Sequence, residues 1–413
     1  MSRTGPAAAP PIRRVLFFLQ TTSIGGMESF CADQAQELVR RGYDVRAVMP
    51  QAPLYDTLVR RFEASGVVVH RLPGRFPTLA FGRGLLTQLV PLLRSWQPDV
   101  VHYHRGNVAG GLVAVLLMRL TTRAVIVYTE HDVPFPGLWL RHQWTTRIMD
   151  RVAHGLVAVS RRNASIRLAK LGAVRDRFAS ILNGIPIPEI DSAVRSANRA
   201  SVRADLELPD DRVVIGCVVR LVEGKGLETL IRACAQLGSA QPTTLLLVGD
   251  GPLRPKLERL AADLGISDSV HFAGFHADPV PFLDAMDVFA LAVPAGSMSI
   301  ALLEAMVREL PPVITFCGPE EAVIHDETGL CAAPDDPAAL AQALTRLVDS
   351  PALRRQLGTA AAAHVRQHFS MRRCMDDHLE LYAALRSGRV PERLRADGPP
   401  NNRPGGCPTG GCP

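Results

Sequence analysis

Apolar and polar positions along this chain alternate in blocks. Short runs rich in Val, Ile and Leu are followed by longer stretches with helical spacing. RVLFFLQ (14–20) predicts a strand, SFCADQAQELVRRG (29–42) a helix ending at Gly42, and DVRAVMP (44–50) a second strand. The same alternation returns in VVVHRL, DVVHYH, AVIVYTEH and GLVAVS. Continuous apolar runs mark strands buried on both faces, as in a parallel sheet covered by helices on each side. Around 183–212 the character changes: NGIPIPEIDSAVRSANRASVRADLELPDD is polar with little strand signal, and reads as a linker. The alternation then restarts with strands at 212–219, 243–249, 269–275 and 288–294, and helices at 227–237, 253–265 and 279–287. A helix at 300–310, the strand PPVITF and the helix DPAALAQALTRLVDS complete the array. Two successive βα arrays predict two Rossmann-like, doubly wound α/β domains facing across a cleft, where ligands bind outside the carboxyl ends of the strands.

The length of 413 residues exceeds one core and agrees with that division. Five segments are expected: a basic arm at 1–13, an N-terminal domain at 14–187, a C-terminal domain at 188–368, a helix at 369–386, and a Pro/Gly/Cys tail at 387–413 without order. The arm has no apolar h-region of a signal peptide, and no run approaches the roughly 20 apolar residues of a spanning helix.

Charge is uneven. Residues 1–190 carry 24 Lys and Arg against 12 Asp and Glu, and the remainder 22 against 28, which together give the overall +6. A positive first half suits an anionic partner such as a phospholipid surface or a phosphorylated ligand; the plainer reading is a solvated Arg-rich surface. Residues 141–177 hold nine Lys or Arg against Asp150 and Asp176. Nucleic acid is an unsuitable partner, because the basic half lacks aromatic platforms at the right places. The eight cysteines are dispersed without zinc-finger spacing, the pattern of buried, reduced thiols in a cytoplasmic protein. Cys407 and Cys412 fall in the tail, where they could bind metal, form a disulfide or do neither.

Four stretches carry candidate chemistry. RLVEGKG (220–226) sets Arg220 and Lys225 at a strand-to-helix turn beside Gly224 and Gly226, a cradle suited to a diphosphate; alternatively it is a surface loop with Glu223 paired to Lys225. TTSIGGMES (21–29) places Gly25 and Gly26 after the first strand, where the backbone can approach a ligand or simply turn. YTEHD (128–132) clusters Glu130, His131 and Asp132 at a strand's carboxyl end; His131 is either catalytic or bonded structurally to a neighbouring carboxylate. His102 and His104 in VHYHRGN raise the same question. In SMSIALLEAM (297–306), Ser299 can cap a helix whose buried stripe is Ile300, Leu303, Met306, Val307 and Leu310. Glu304 falls at the stripe's edge, either paired with Arg308 one turn on or facing a cleft, where a carboxylate suits a ribose diol. The amides of Ile300 and Ala301 could bind phosphate.

Taken in order, GGMES, TEHD, VAVS, NGI, RLVEGKG, LLLVGDGP, VHFAGF, SIALLEAM and PEEAVIHDETGL resemble the retaining, nucleotide-sugar-dependent glycosyltransferases of the GT-B fold, family-4 type, over residues 14–386. The resemblance implies that Arg220 and Lys225 bind the donor diphosphate, that Glu304 holds the ribose, and that Ser299, Ile300 and Ala301 present the distal phosphate site. It places His131 near the reacting sugar, lets the loop at Gly26 approach the donor, and puts Gly249 of LLLVGDGP on the donor side. The helix at 369–386 is expected to cross back to the N-terminal domain. One departure stands out. The first glutamate of the family's E-x7-E pattern, which contacts the sugar, is replaced by Gly296; Glu320 or Glu321 is a candidate substitute. VREL (307–310) also replaces a small, Gly-containing turn.

The implied reaction is transfer of a sugar from a nucleoside-diphosphate sugar to an acceptor hydroxyl with retention. No resident cofactor and no metal are expected, since no DxD-type carboxylate pair ends a strand. The acceptor is a glycan, a lipid-linked saccharide met at an anionic membrane surface, or a small molecule. The alternatives are an epimerase or hydrolase of the same fold, and a sugar-nucleotide-binding protein that lost catalysis with the first glutamate.

Overall fold

The computed structural model describes residues 11–20, 25–74, 78–106, 111–131, 136–171, 175–209, 211–238, 241–294, 298–315 and 321–396. It divides into two compact units. The first runs to Asn183 and takes in the chain again from Met371; the second is Gly184–Ser370.

In the first unit, β1 (Arg14–Gln20), β2 (Asp44–Pro50), β3 (Val68–Leu72), β4 (Val100–Arg105), β5 (Val125–Glu130), β6 (Gly155–Ala158) and β7 (Phe178–Ser180) form one parallel sheet of order β3-β2-β1-β4-β5-β6-β7. The apolar runs dictate this. In β1 every residue from Val15 to Gln20 is buried, so the strand has no solvent face and must be covered on both sides. Leu16, Phe18, Val101, Tyr103, Ile126 and Tyr128 meet in one core on one face. On the other lies the Gly26–Arg40 helix, which contacts the Met371–Leu385 helix; that helix in turn reaches β5. A helix following the second unit in sequence is therefore part of the first.

In the second unit, β8 (Val213–Val218), β9 (Thr243–Val248), β10 (Val270–Gly274), β11 (Val288–Leu291), β12 (Pro312–Thr315) and β13 (Leu330–Ala332) are ordered β10-β9-β8-β11-β12-β13. In both sheets the first strand of the unit is internal, and the order reverses beside it: between β1 and β4, and between β8 and β11. In open α/β sheets such reversal points create the binding crevice.

Two sequence expectations are corrected. The polar stretch read as a linker contains the Ser192–Asp205 helix, capped by Asp191, whose Oδ1 accepts from the amides of Ala193 at 2.8 Å and Val194 at 3.4 Å. Arg203, almost wholly buried, and Arg199 each donate to Asp287 at 2.7 Å. Charge pairing, not an apolar stripe, fixes this helix, and removing either partner of such a buried pair typically costs about 3–5 kcal/mol. Likewise, the tail expected to lack order from 387 is folded as far as 396. Val390 and Leu394 are buried, and the Ala396 amide donates to the Phe178 carbonyl at 3.0 Å. Cys407 and Cys412 lie outside the described residues.

Candidate active site

The phosphate-binding candidates gather at the reversal point of the second unit. β8 leads into residues 219–226, which turn through Gly224 and Gly226, both left-handed at φ +77° and +65°, into the Leu227–Ala235 helix. A Cβ on Gly226 would sit 1.8 Å from the Ala292 carbonyl oxygen just past β11, so the two loops touch backbone to backbone. Gly249, at φ +138°, is pressed against the Val219 carbonyl in the same way, and its amide donates to the Gly274 carbonyl at 2.8 Å. The Leu221 amide donates to the Asp250 carbonyl and the Leu253 amide to the Leu221 carbonyl, both at 3.0 Å. These contacts pin the loop that carries exposed Arg220 and half-buried Lys225. The Lys225 ammonium is close enough to the buried Cys217 thiol to oppose the upward push of burial, which still dominates and holds that thiol up to about 12.

After β11 the Ile300–Val307 helix begins. Ser299 caps it, its Oγ accepting from the Leu302 amide at 3.3 Å. The amides of Ile300 and Ala301 precede any helical acceptor, so the helix itself cannot use them. The predicted stripe is present and wider than expected, because Leu302 and Ala305 are buried too. Glu304 is half-buried. Arg308, the alternative partner one turn on, donates instead to Asp284 at 2.7 Å. VREL keeps its turn without glycine: Glu309 takes φ +64° and presses its carbonyl against Gly358. Gly296 and Glu320 lie outside the described residues, as does Asp132. Glu321 is half-buried, and its carbonyl oxygen lies 3.3 Å from His364 Nε2.

The histidines gather at the reversal point of the first unit. Gly26 opens its helix at the carboxyl end of β1, where the Gly25 amide donates to Glu28 Oε2 at 2.8 Å. His131 follows β5 and is buried, with Phe30 edge-on to its ring. Among the described residues its partner is not a carboxylate. His104 Nδ1, from β4, lies 3.2 Å from His131 Nε2. Glu130 turns instead toward Arg167, which also donates to Asp150 at 2.8 Å and to the Tyr128 hydroxyl at 2.7 Å. Burial pushes the Asp150 carboxyl up, against the opposing pull of Arg167.

His104 stacks on His102, ring centroids 4.0 Å apart. His102 is held by the Tyr382 hydroxyl at 2.6 Å and the Thr129 hydroxyl at 2.7 Å. His378, one turn before Tyr382, adjoins the same rings. Burial drives all four imidazoles below the ordinary value of 6.5, His131 to about 3, so each is neutral at physiological pH. Cys31 from the Gly26–Arg40 helix completes the cluster. The partnership of Cys31, His378 and Tyr382 with the strand histidines joins elements up to 280 residues apart and has no local sequence signal.

Comparison with known proteins follows the same two-unit division. Residues 24–188 match the family model "Glycosyltransferase Family 4" and residues 198–364 match "Glycosyl transferases group 1". The lipopolysaccharide core biosynthesis glycosyltransferase LpsD of Rhizobium meliloti is 28% identical over 363 residues, covering 87% of this chain and 95% of LpsD. The D-inositol 3-phosphate glycosyltransferase of Acidothermus cellulolyticus is 30% identical over 378 residues, covering 82% and 81% of the two chains. The crystal structure of Anabaena Alr3699/HepE in complex with UDP-glucose superposes with a TM-score of 0.75 at 23% identity, over 89% of this chain and 99% of that one, a likeness of fold. The architecture is thus GT-B, that of two Rossmann-like domains. The chain belongs to the group 1, family-4 type glycosyltransferases.

Proposed function

We propose that this glycosyltransferase moves a sugar from a nucleoside-diphosphate sugar to an acceptor hydroxyl with retention at the anomeric carbon and without a metal. The observation carrying this reading is the convergence of Arg220, Lys225 and the Ile300–Val307 helix start around the β8/β11 reversal point, locked by the contact of Gly226 with Ala292.

The chemistry follows from that arrangement. Breaking the bond between sugar and diphosphate leaves positive charge on the sugar and negative charge on the departing phosphate. Arg220 and Lys225 offset the negative charge, and the amides of Ile300 and Ala301 receive the outer phosphate oxygens. Fixed donors of this kind contribute about 3–4 kcal/mol each to transition-state stabilisation. Glu304 accepts from the ribose hydroxyls, and Gly249 leaves room for the nucleotide. In the first unit, neutral His131 offers an uncharged donor or acceptor beside the reacting sugar, and Gly26 lets the loop after β1 come close. With Gly296 in place of an acid, recognition of the sugar hydroxyls passes to the loop of Glu320 and Glu321.

The acceptor we assign is a lipid-linked or envelope saccharide met at an anionic membrane surface. Two observations support this. LpsD, so named for lipopolysaccharide core synthesis, matches over most of its length. The packed helices Leu112–Thr121 and Pro136–Val152 also expose Val113, Leu120, Trp144 and Ile148 beside exposed Arg119, Arg147 and Arg151. Exposed apolar side chains on helices that also expose arginine suit an interfacial surface. Among the described residues, no helix is long and apolar enough to cross a membrane.

A thermal-shift panel of UDP-, GDP-, ADP- and dTDP-sugars tests the donor assignment. Stabilisation by one nucleotide series, abolished in Lys225→Ala, is the expected result, and no response to any of them removes it. Turnover in EDTA tests metal independence, and proton NMR of the product's anomeric centre tests retention. Flotation with anionic liposomes separates a membrane acceptor from a small soluble one.

A further inference from the structure

The buried cluster at the carboxyl ends of β4 and β5 holds more ligand chemistry than sugar transfer requires. Cys31 Sγ and one nitrogen from each of His104 and His131 lie within 4.8 Å of one another, and all three side chains are buried. Among the described residues this is the one group of three or more Cys, His or acidic side chains so placed. The 3.2 Å between His104 Nδ1 and His131 Nε2 matches the edge of a zinc tetrahedron. Two nitrogens bound at 2.0–2.1 Å and the tetrahedral angle are about 3.3 Å apart.

His102 and His378 stand outside the three-residue group. His102 has both ring nitrogens engaged by Tyr382 and Thr129, and His378 Nδ1 meets the Cys374 carbonyl at 2.8 Å. His104 has His131 at Nδ1 and, like His378, no hydrogen-bond partner at its buried Nε2. With Nδ1 as ligand, Nε2 carries the His104 proton, and the spacing of the three ligand atoms alone defines the site.

We infer that Cys31, His104 and His131 form a binding site for one Zn²⁺ ion, and that the ion inhibits the enzyme by engaging His131. One thiolate and two imidazoles form the borderline-soft N/S donor set that zinc prefers, with a fourth position left for water. The proton balance is simple. Both imidazoles are already neutral, so the only proton displaced is that of the Cys31 thiol, released to solvent as the Zn–S bond forms. Burial first, then Glu28 and Asp33, oppose a bare Cys31 thiolate, and the same two carboxylates favour a divalent cation. No electron is transferred. The inhibitory half rests on the role proposed for His131; the binding half does not.

Cobalt reports the site directly. Full-length protein stripped with chelator and titrated with Co²⁺ should develop, at one equivalent, a thiolate-to-cobalt band in the near ultraviolet and intense tetrahedral bands in the visible, both erased by Zn²⁺. The near-ultraviolet band should vanish in Cys31→Ala, the visible bands should collapse in His104→Gln, and both should persist in the Cys407→Ser/Cys412→Ser double variant. Thermal unfolding of each variant, compared with wild type, identifies any that fails to fold. His104→Gln, which keeps bulk, then decides if Cys31→Ala is lost. Absence of the band from wild type, its survival in folded Cys31→Ala, or its disappearance with the tail cysteines overturns the site. One equivalent of Zn²⁺ should also slow wild-type turnover at least tenfold while leaving Cys31→Ala at its own metal-free rate. Unchanged wild-type turnover with zinc bound overturns the inhibitory half. A protein that binds cobalt as described but no nucleotide sugar refutes the proposed function and leaves the metal site standing.

Discussion

Gly226 lies so close beneath Ala292 that a single added carbon would fall 1.8 Å from the carbonyl oxygen, well inside van der Waals contact. This contact couples the loop bearing Lys225 to the loop leading into the Ile300–Val307 helix. Gly226→Ala combines a left-handed φ with a backbone clash, and the two together should destabilise the second unit by about 3 kcal/mol or more. Urea unfolding checks the stability. Loss of nucleotide binding in protein that remains folded checks the coupling.

Lys225→Ala removes a charge without disturbing that contact. Turnover should fall about 10²–10³-fold, the size reported by deletion of one preorganised donor, with little change in unfolding midpoint. Arg220→Ala should fall by a similar factor. Steady-state kinetics on the two single variants and the double variant would show whether the cations act on one phosphate, since the double loss is then less than the product of the two. A Lys225→Ala enzyme of normal activity would remove the clamp from the mechanism.

The buried imidazoles make a prediction about acid. His102, His131 and His378 are held neutral in the fold but protonate freely in the unfolded chain, so the unfolded state binds more protons. Stability is therefore full above the ordinary value of 6.5 and falls as pH drops below it, continuing for His131 to about 3. Each group contributes a loss of up to about 1.4 kcal/mol per pH unit in that window. Unfolding free energies measured in EDTA between pH 7.5 and 5 should decline steeply, and replacing His378 with Gln should flatten the slope. A flat profile across that range would contradict buried, neutral imidazoles.

Glu309 holds φ +64° in a turn where a glycine is at ease. A left-handed non-glycine residue costs about 1–2 kcal/mol, against about 0.4–1 kcal/mol of extra unfolded-state freedom for glycine. Glu309→Gly should thus stabilise the second unit by roughly 0.5–1 kcal/mol, read from its urea midpoint, with turnover unchanged.

How much of this was legible in the sequence depended on which force fixes each element. β1 is Arg14–Gln20, as its unbroken apolar run predicts, and β2 is Asp44–Pro50. The Ser192–Asp205 helix escaped because its apolar burial is slight: Arg203 and Arg199 secure it through Asp287, more than 80 residues away. Within the proposed donor site, Lys225 and Ser299 could be singled out because glycines and a capping residue are local signals. The pairing of Gly226 with Ala292 could not, since it depends on the sheet order. His102 and His104, two apart on one strand, were bound to share a face. Their partners Cys31 and Tyr382 arrive from distant helices. Glu304 lies one turn from Arg308 in sequence, but Asp284, nearer the core, takes that guanidinium.

Because Tyr382 and His378 sit on a helix synthesised only after Ser370, the first unit is interrupted in the chain by the whole of the second. On the ribosome, the portion begun first is the last to be sealed: its histidine-lined layer waits, wet and accessible, while roughly 190 intervening residues emerge and settle. Released chains truncated near residue 370 should therefore be cut by protease within the earlier portion while the later one resists, and extending them past 385 should close that window. Such a result would make the Met371–Leu385 helix the closing piece of the first unit, made last for a domain begun first.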